Sequence, residues 1–215
     1  MRAERTLPHL TLPEVSMRRV TYCSALLLAG ALTLPAHAAT PGVVVFTDPV
    51  GDANGVNGQT FTSVPSQSTG PADVASEDIL GVRLATFYKK KAGRQVPNGF
   101  TVTLTLASAA DNHADYMLTA TAPDGCGGGT SLDLQYDGYG AVPVTVASCS
   151  AGGTTSTNLS LGPAVLDAAK HTITWSVDGS GLTPKSTFEA LHASTTVFVL
   201  GQVDEASTDA VYSFQ

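Results

Sequence analysis

The residues with the clearest chemistry sit in one short run, Asp48-Pro49-Val50-Gly51-Asp52-Ala53-Asn54-Gly55. Carboxylate and amide oxygens at Asp48, Asp52 and Asn54, with glycines between them that permit sharp turns, suit a hard cation such as Ca²⁺, which gathers about six to eight oxygens. The spacing is not that of an EF-hand loop, which needs acids at alternate positions, a fixed glycine and a closing glutamate. An acidic turn after a strand accounts for the same residues without a metal, because Asp, Asn and Gly are common turn residues. Tyr136 and Tyr139 flank Asp137-Gly138 and form a second candidate, a ligand-binding pair of aromatic faces at a hairpin tip. Packing of both rings on their own sheet is the alternative. Asp204-Glu205 and Asp209 make a further acidic cluster, which either joins the cation run or faces water.

Catalytic constellations are harder to find. The histidines beyond residue 38 are His113, His171 and His192, and no two have metal-ligand spacing. There is no Gly-x-Ser-x-Gly elbow, and Gly127-Gly128-Gly129 lacks the Lys-Ser/Thr of a phosphate loop. His192, Asp204 and a serine could meet as a triad, which is built by geometry and not by spacing. A glycosidase pair of carboxylates is equally available and equally unselected. These residues point away from an enzyme and leave a hydrolase with a loop-built site as the rival reading.

Such residues need a scaffold, and composition narrows which one. The chain has 215 residues, 11 Lys+Arg, 18 Asp+Glu and only 13% charged residues. A net charge of -7 argues against nucleic acid as partner, since that needs a basic face. Arg18-Arg19, the apolar run Ser24–Leu34 and Ala36-His37-Ala38 read as a secretory signal peptide, with cleavage expected before Ala39. The apolar run is too short to cross a bilayer, so no membrane association is expected once it is cut. Met17 is the more conventional start for such a signal. The expected organisation is therefore a signal peptide at 1–38, an exported product, and one domain over 39–215.

Loss of 1–38 takes four of the 11 basic residues (Arg2, Arg5, Arg18, Arg19) and two of the 18 acids (Glu4, Glu14), leaving 7 against 16 and a formal charge of -9. Four of those seven cations lie together at Lys89, Lys90, Lys91 and Arg94. This cluster could touch anionic wall polymers, or it could blunt a strand edge, a common use of lysine. Cys126 and Cys149 also remain, and an oxidising compartment favours a disulfide between them.

Beyond residue 41 the chain alternates β-branched runs with turn clusters. Phe100–Ala107 is the cleanest case: Phe100, Val102, Leu104 and Leu106 mark one face, Thr101, Thr103 and Thr105 the other. Further runs at 42–47, 78–88, 116–122, 132–136, 142–147, 155–161, 172–177, 195–200 and 210–214 bring the expectation to about ten strands. Asn98-Gly99, Asp137-Gly138 and Asp178-Gly179 are expected turns. Helical spacing appears briefly at Ser186–His192, with Ser186 as cap and Leu182 or Phe188 packing inward. Strands without long helices between them predict an all-β fold, an antiparallel two-sheet β-sandwich or jelly roll with one disulfide. Trp175 lies in an alternating strand and is expected in the core. Val50–Ala75 has no regular pattern, and a loop that long is usually functional or disordered.

A first strand, then Asp-Pro-x-Gly-Asp-x-Asn-Gly, an irregular loop, and Asp78-Ile79 opening the next strand resemble certain secreted bacterial β-sandwich domains. These are the jelly rolls of family-9 carbohydrate-binding modules and the DOMON-like C-terminal domain of glucodextranase. The likeness is concentrated in residues 43–88. It implies Asp48, Asp52 and Asp78 as cation ligands, and a glycan or cell-envelope polymer as partner. The chain departs from the family in lacking a pair of solvent-facing tryptophans, since it holds a single Trp. The expected function is a secreted, non-catalytic binding domain for such a polymer, steadied by Ca²⁺. A structural or protein-interaction module is the third possibility.

Overall fold

Period-two alternation becomes architecture in the computed structural model, which describes residues 42–51, 53, 75–139, 143–152, 155–184, 186–197 and 201–215. The expected signal at 1–38, together with Asp52 and Asn54, lies outside the described residues. Twelve strands run through the rest: β1 Val43–Thr47, β2 Ile79–Lys91, β3 Arg94–Leu106, β4 Ala114–Gly125, β5 Gly129–Asp137, β6 Val144–Ala151, β7 Thr155–Asn158, β8 Val165–Asp167, β9 Thr172–Asp178, β10 Thr187–Val197, β11 Gly201–Thr208 and β12 Tyr212–Ser213. All pair antiparallel, in two sheets. One is ordered β1-β2-β3-β9-β8; the other is β11-β10-β4-β5-β6-β7, with β12 also on β10.

The inner faces follow from the alternation. Phe100, Val102, Leu104 and Leu106 are buried, while Thr101, Thr103 and Thr105 are half-buried on the outer face. Across the core, Leu118, Ala120, Leu132, Leu134 and Ala147 supply the opposing layer. Each valine, leucine or phenylalanine among them, removed from water, contributes roughly 1.5–3 kcal/mol. Trp175 is buried as expected, and its indole Nε1–H donates to Gln135 O at 3.2 Å, joining β9 of one sheet to β5 of the other. Phe100, Phe188 and Tyr212 form a tilted aromatic cluster, with ring centroids 5.1–5.9 Å apart. Cys126 and Cys149 are bonded, with an S–S distance of 2.05 Å.

Two local expectations are corrected. Ser186–His192 is not helical; residues 187–192 open β10. Phe188 and Leu191 are both buried although three residues apart, because a bulge between Glu189 and His192, with Ala190 at φ 48°, inserts one residue and resets the alternation. A bulged strand therefore imitates helical spacing. Asn98-Gly99 is not a turn but lies within β3, and the hairpin closes instead at Ala92 (φ 48°) and Gly93 (φ 79°). Two successive positive φ values are the geometry of a type I′ turn. Gly99 is needed for another reason, since a Cβ there would collide with the carbonyl oxygen of Val177 and the ring of Phe87. The strand β8 carries no alternation to read, being three residues long.

Candidate functional site

The start of β2 meets the ends of β1 and β10 and the beginning of β11 at one end of the sandwich, where carboxylates gather. Asp78 is 3% exposed, and its Oδ2 accepts the Gly51 N–H at 2.8 Å. Gly51 sits at φ 81°, a conformation that suits glycine, and this brings its amide to the carboxylate. Asp204 reaches across from β11, and its Oδ2 accepts the Ile79 N–H at 2.6 Å. Glu77 is also buried; its Oε2 accepts from Ser76 Oγ at 2.8 Å, and its carbonyl accepts from Thr195 Oγ1 at 2.7 Å. Burial raises the Glu77 carboxyl above the usual carboxylate range, and nearby Asp111 adds to the rise. Tyr116 braces the same end, its hydroxyl accepting the Asp111 N–H at 2.7 Å and donating to Ser76 O at 3.1 Å.

Of the four expected cation ligands, the described residues bring Asp48 and Asp78 to this end. Asp48 is half-buried, with its N–H on Leu80 O at 3.3 Å. The buried Asp78 Oδ1 has no hydrogen-bond partner among the described residues. A carboxylate oxygen in that state suits a hard cation, because a buried charge otherwise needs a donor. Among the described residues, no three His, Cys, Asp or Glu side chains are grouped as a metal site. Asp52 and Asn54, the other two expected ligands, lie outside the described residues.

Tyr136 and Tyr139 do not share a face. Tyr136 is 6% exposed and packs inward, 6.2 Å from the Tyr116 ring. Tyr139 is 40% exposed; its N–H donates to Asp137 Oδ1 at 2.9 Å and its hydroxyl to Thr196 O at 3.0 Å. The alternation explains the split, since Tyr136 is an inward position of β5 and Tyr139 lies beyond the strand end. The His192–Asp204 triad is also corrected. His192 faces outward and meets Glu205 Oε2 at 3.3 Å, whereas Asp204 turns inward to Ile79.

The outer face of the larger sheet was not anticipated. Register aligns Asn158 (β7), Ser148 (β6), Asp133 (β5), Thr119 (β4) and His192 (β10) in one row across five neighbouring strands. All are half-buried or exposed. At about 4.8 Å per strand the row spans roughly 19 Å. Beside it run Ser156, Ser150, Ser131 and Thr121, with Ser131 Oγ donating to Asp133 Oδ2 at 3.1 Å. Alternation shows that each residue faces outward, but only strand order makes them a row.

No protein-family model, curated protein or solved structure matches the chain.

Proposed function

We propose that this chain is a non-catalytic extracellular binding domain for a glycan or another polymer of the cell surface, with Ca²⁺ held by Asp48, Asp52, Asn54 and Asp78. The observation that carries the reading is the five-strand row of hydroxyl, amide, carboxylate and imidazole groups. Polar groups in register on a rigid sheet match the repeated hydroxyls of an extended polysaccharide without reordering on contact. The buried Asp78 Oδ1 supports the cation, and a disulfide suits the oxidising environment outside the cell.

Retention on a panel of insoluble and soluble polysaccharides, with and without Ca²⁺, tests both parts. Asp133→Ala removes a charged acceptor worth roughly 1.5–3 kcal/mol in a hydrogen bond, so binding should weaken by about 10- to 100-fold with the melting temperature held. Retention unchanged by that substitution would place the ligand elsewhere, and no retention on any polymer would defeat the reading. If Ca²⁺ is held, chelator should lower the melting temperature, by an amount equivalent to about 2.7 kcal/mol when the ion stood at a hundred times its Kd. An unchanged melting temperature would dismiss the cation alone.

A further inference from the structure

The β2–β3 hairpin outgrows its sheet. Strand β1 pairs with β2 as far as Ala85, with a last hydrogen bond from Thr86 N–H to Gly42 O at 2.8 Å, and β9 meets β3 only from Gly99 onward. Past these points, among the described residues, the two arms pair only with each other: Tyr88 opposite Pro97, Lys89 opposite Val96, Lys90 opposite Gln95 and Lys91 opposite Arg94. Every residue from Tyr88 to Gln95 is exposed. Pro97 is tolerated there because a ribbon strand has a free edge that needs no donor. At the base, the Tyr88 hydroxyl donates to Gln215 O at 2.6 Å.

The charges on this ribbon conflict with its own folding. Lys91 and Arg94 are direct cross-strand partners, a position where like charges destabilise a pair. Lys89 shares their face, two residues along and about 7 Å away. The ion pairs among the described residues are Lys170–Asp167 and His192–Glu205, so no described carboxylate answers the ribbon. One lysine would suffice to blunt an edge; it would not require an arginine directly opposite another cation. Local rules broken in this way are expected where a site has been built.

We infer that the ribbon is a second binding site, and that its ligand is a linear polyanion bearing repeated carboxylate or phosphate groups. Three cations on one face, Lys89, Lys91 and Arg94, meet successive charges of an extended chain, and Lys90 takes a charge passing the other face. The anion relieves the Lys91–Arg94 repulsion that folding leaves in place. A flat anionic bilayer fits less well: the tip is Ala92-Gly93, with no large apolar side chain to insert, and an acidic body would be repelled along its whole facing surface. A narrow polymer touches only the ribbon.

The test measures binding of the purified protein to polygalacturonate and to long-chain polyphosphate, beside neutral dextran and phosphatidylglycerol–phosphatidylcholine vesicles. Both polyanions should bind at least tenfold more tightly than dextran. Four contacts, each giving a salt slope of about 0.7, predict roughly 50-fold weaker binding at 200 mM than at 50 mM salt. The quadruple variant K89Q/K90Q/K91Q/R94Q should lose tenfold or more while its melting temperature stays level or rises, and K91Q alone should lose a measurable part. Polyanion binding that survives the quadruple variant overturns the proposal, as does binding no tighter than to dextran. Vesicles retained in place of polymers, or self-association at low salt that accounts for the salt dependence, also overturn it. Retention of neutral polysaccharide through Asp133 is scored separately, so either site can fail while the other stands.

Discussion

Strand β2 connects two ends of the sandwich that treat charge in opposite ways. Where it begins, carboxylates turn inward and are met by backbone donors: Gly51 N–H on Asp78, Ile79 N–H on Asp204. Where it finishes, Lys89, Lys90, Lys91 and Arg94 stand in water, two of them directly opposed. A buried charge costs several kcal/mol unless something answers it, so the acidic end is part of how the chain folds. An exposed charge costs little and contributes little, so the ribbon is free to serve something outside the molecule. Position in the fold, more than charge itself, decides which ionisable groups the fold must answer.

This contrast can be tested by damaging each end in turn. The largest effect should come from the hairpin end, where Cys126 and Cys149 close a loop of 23 residues. Replacing both by alanine should cost about 3 kcal/mol, or roughly 6–12 °C in melting temperature. A loss below ~1 kcal/mol would mean that the aromatic cluster alone holds that end. Next, Asp204→Ala strands the buried Ile79 N–H and should cost about 1–3 kcal/mol; denaturant unfolding reads it directly. If Asp204→Ala proves neutral, the acidic end is not structural and the contrast collapses.

Smaller still, Lys91→Thr relieves the like-charge pair and should stabilise by about 0.2–1 kcal/mol, while weakening polyanion binding. Loss of stability in that variant would show the ribbon cations serving the fold. The subtlest test is pH. The folded-state pKa of Glu77 is raised by burial, so its contribution to stability is present below the ordinary carboxylate range and lost as pH rises through the raised value. Asp115 shifts the same way, for the same leading cause. Glu77→Gln should therefore flatten the decline in stability toward neutral pH and raise the melting temperature at pH 7. An unaltered pH profile would mean that Glu77 is better solvated than its position implies.

Much of the fold was legible because a sheet writes its two faces into alternate residues. Phe100 to Leu106 announced both strand and core, and Trp175 could be assigned inward from its neighbours. The misreadings have two causes, an inserted residue that changes the phase and a glycine that serves packing instead of a turn. The bulge at Ala190 gives Ser186–His192 a helical spacing inside a strand, and Asn98-Gly99 has the composition of a turn although the glycine answers a close approach by Val177. At the acidic end Asp48 and Asp78 were legible as a pair, yet Glu77 passed unnoticed beside Asp78, because burial of a polar residue depends on the strands above it. The Asn158-to-His192 row was invisible for a related reason. Which strand lies beside which is set by crossovers from β3 to β4, β7 to β8 and β9 to β10, and no local pattern encodes them.

The bond from the Trp175 indole to Gln135 gives this molecule a built-in optical gauge. The chain holds a single tryptophan, and it sits where the two layers touch. Its emission should be blue while the layers are closed and shift red as solvent enters between them. Separation of the layers, as distinct from fraying at hairpin tips, can therefore be followed by fluorescence alone, without any added label.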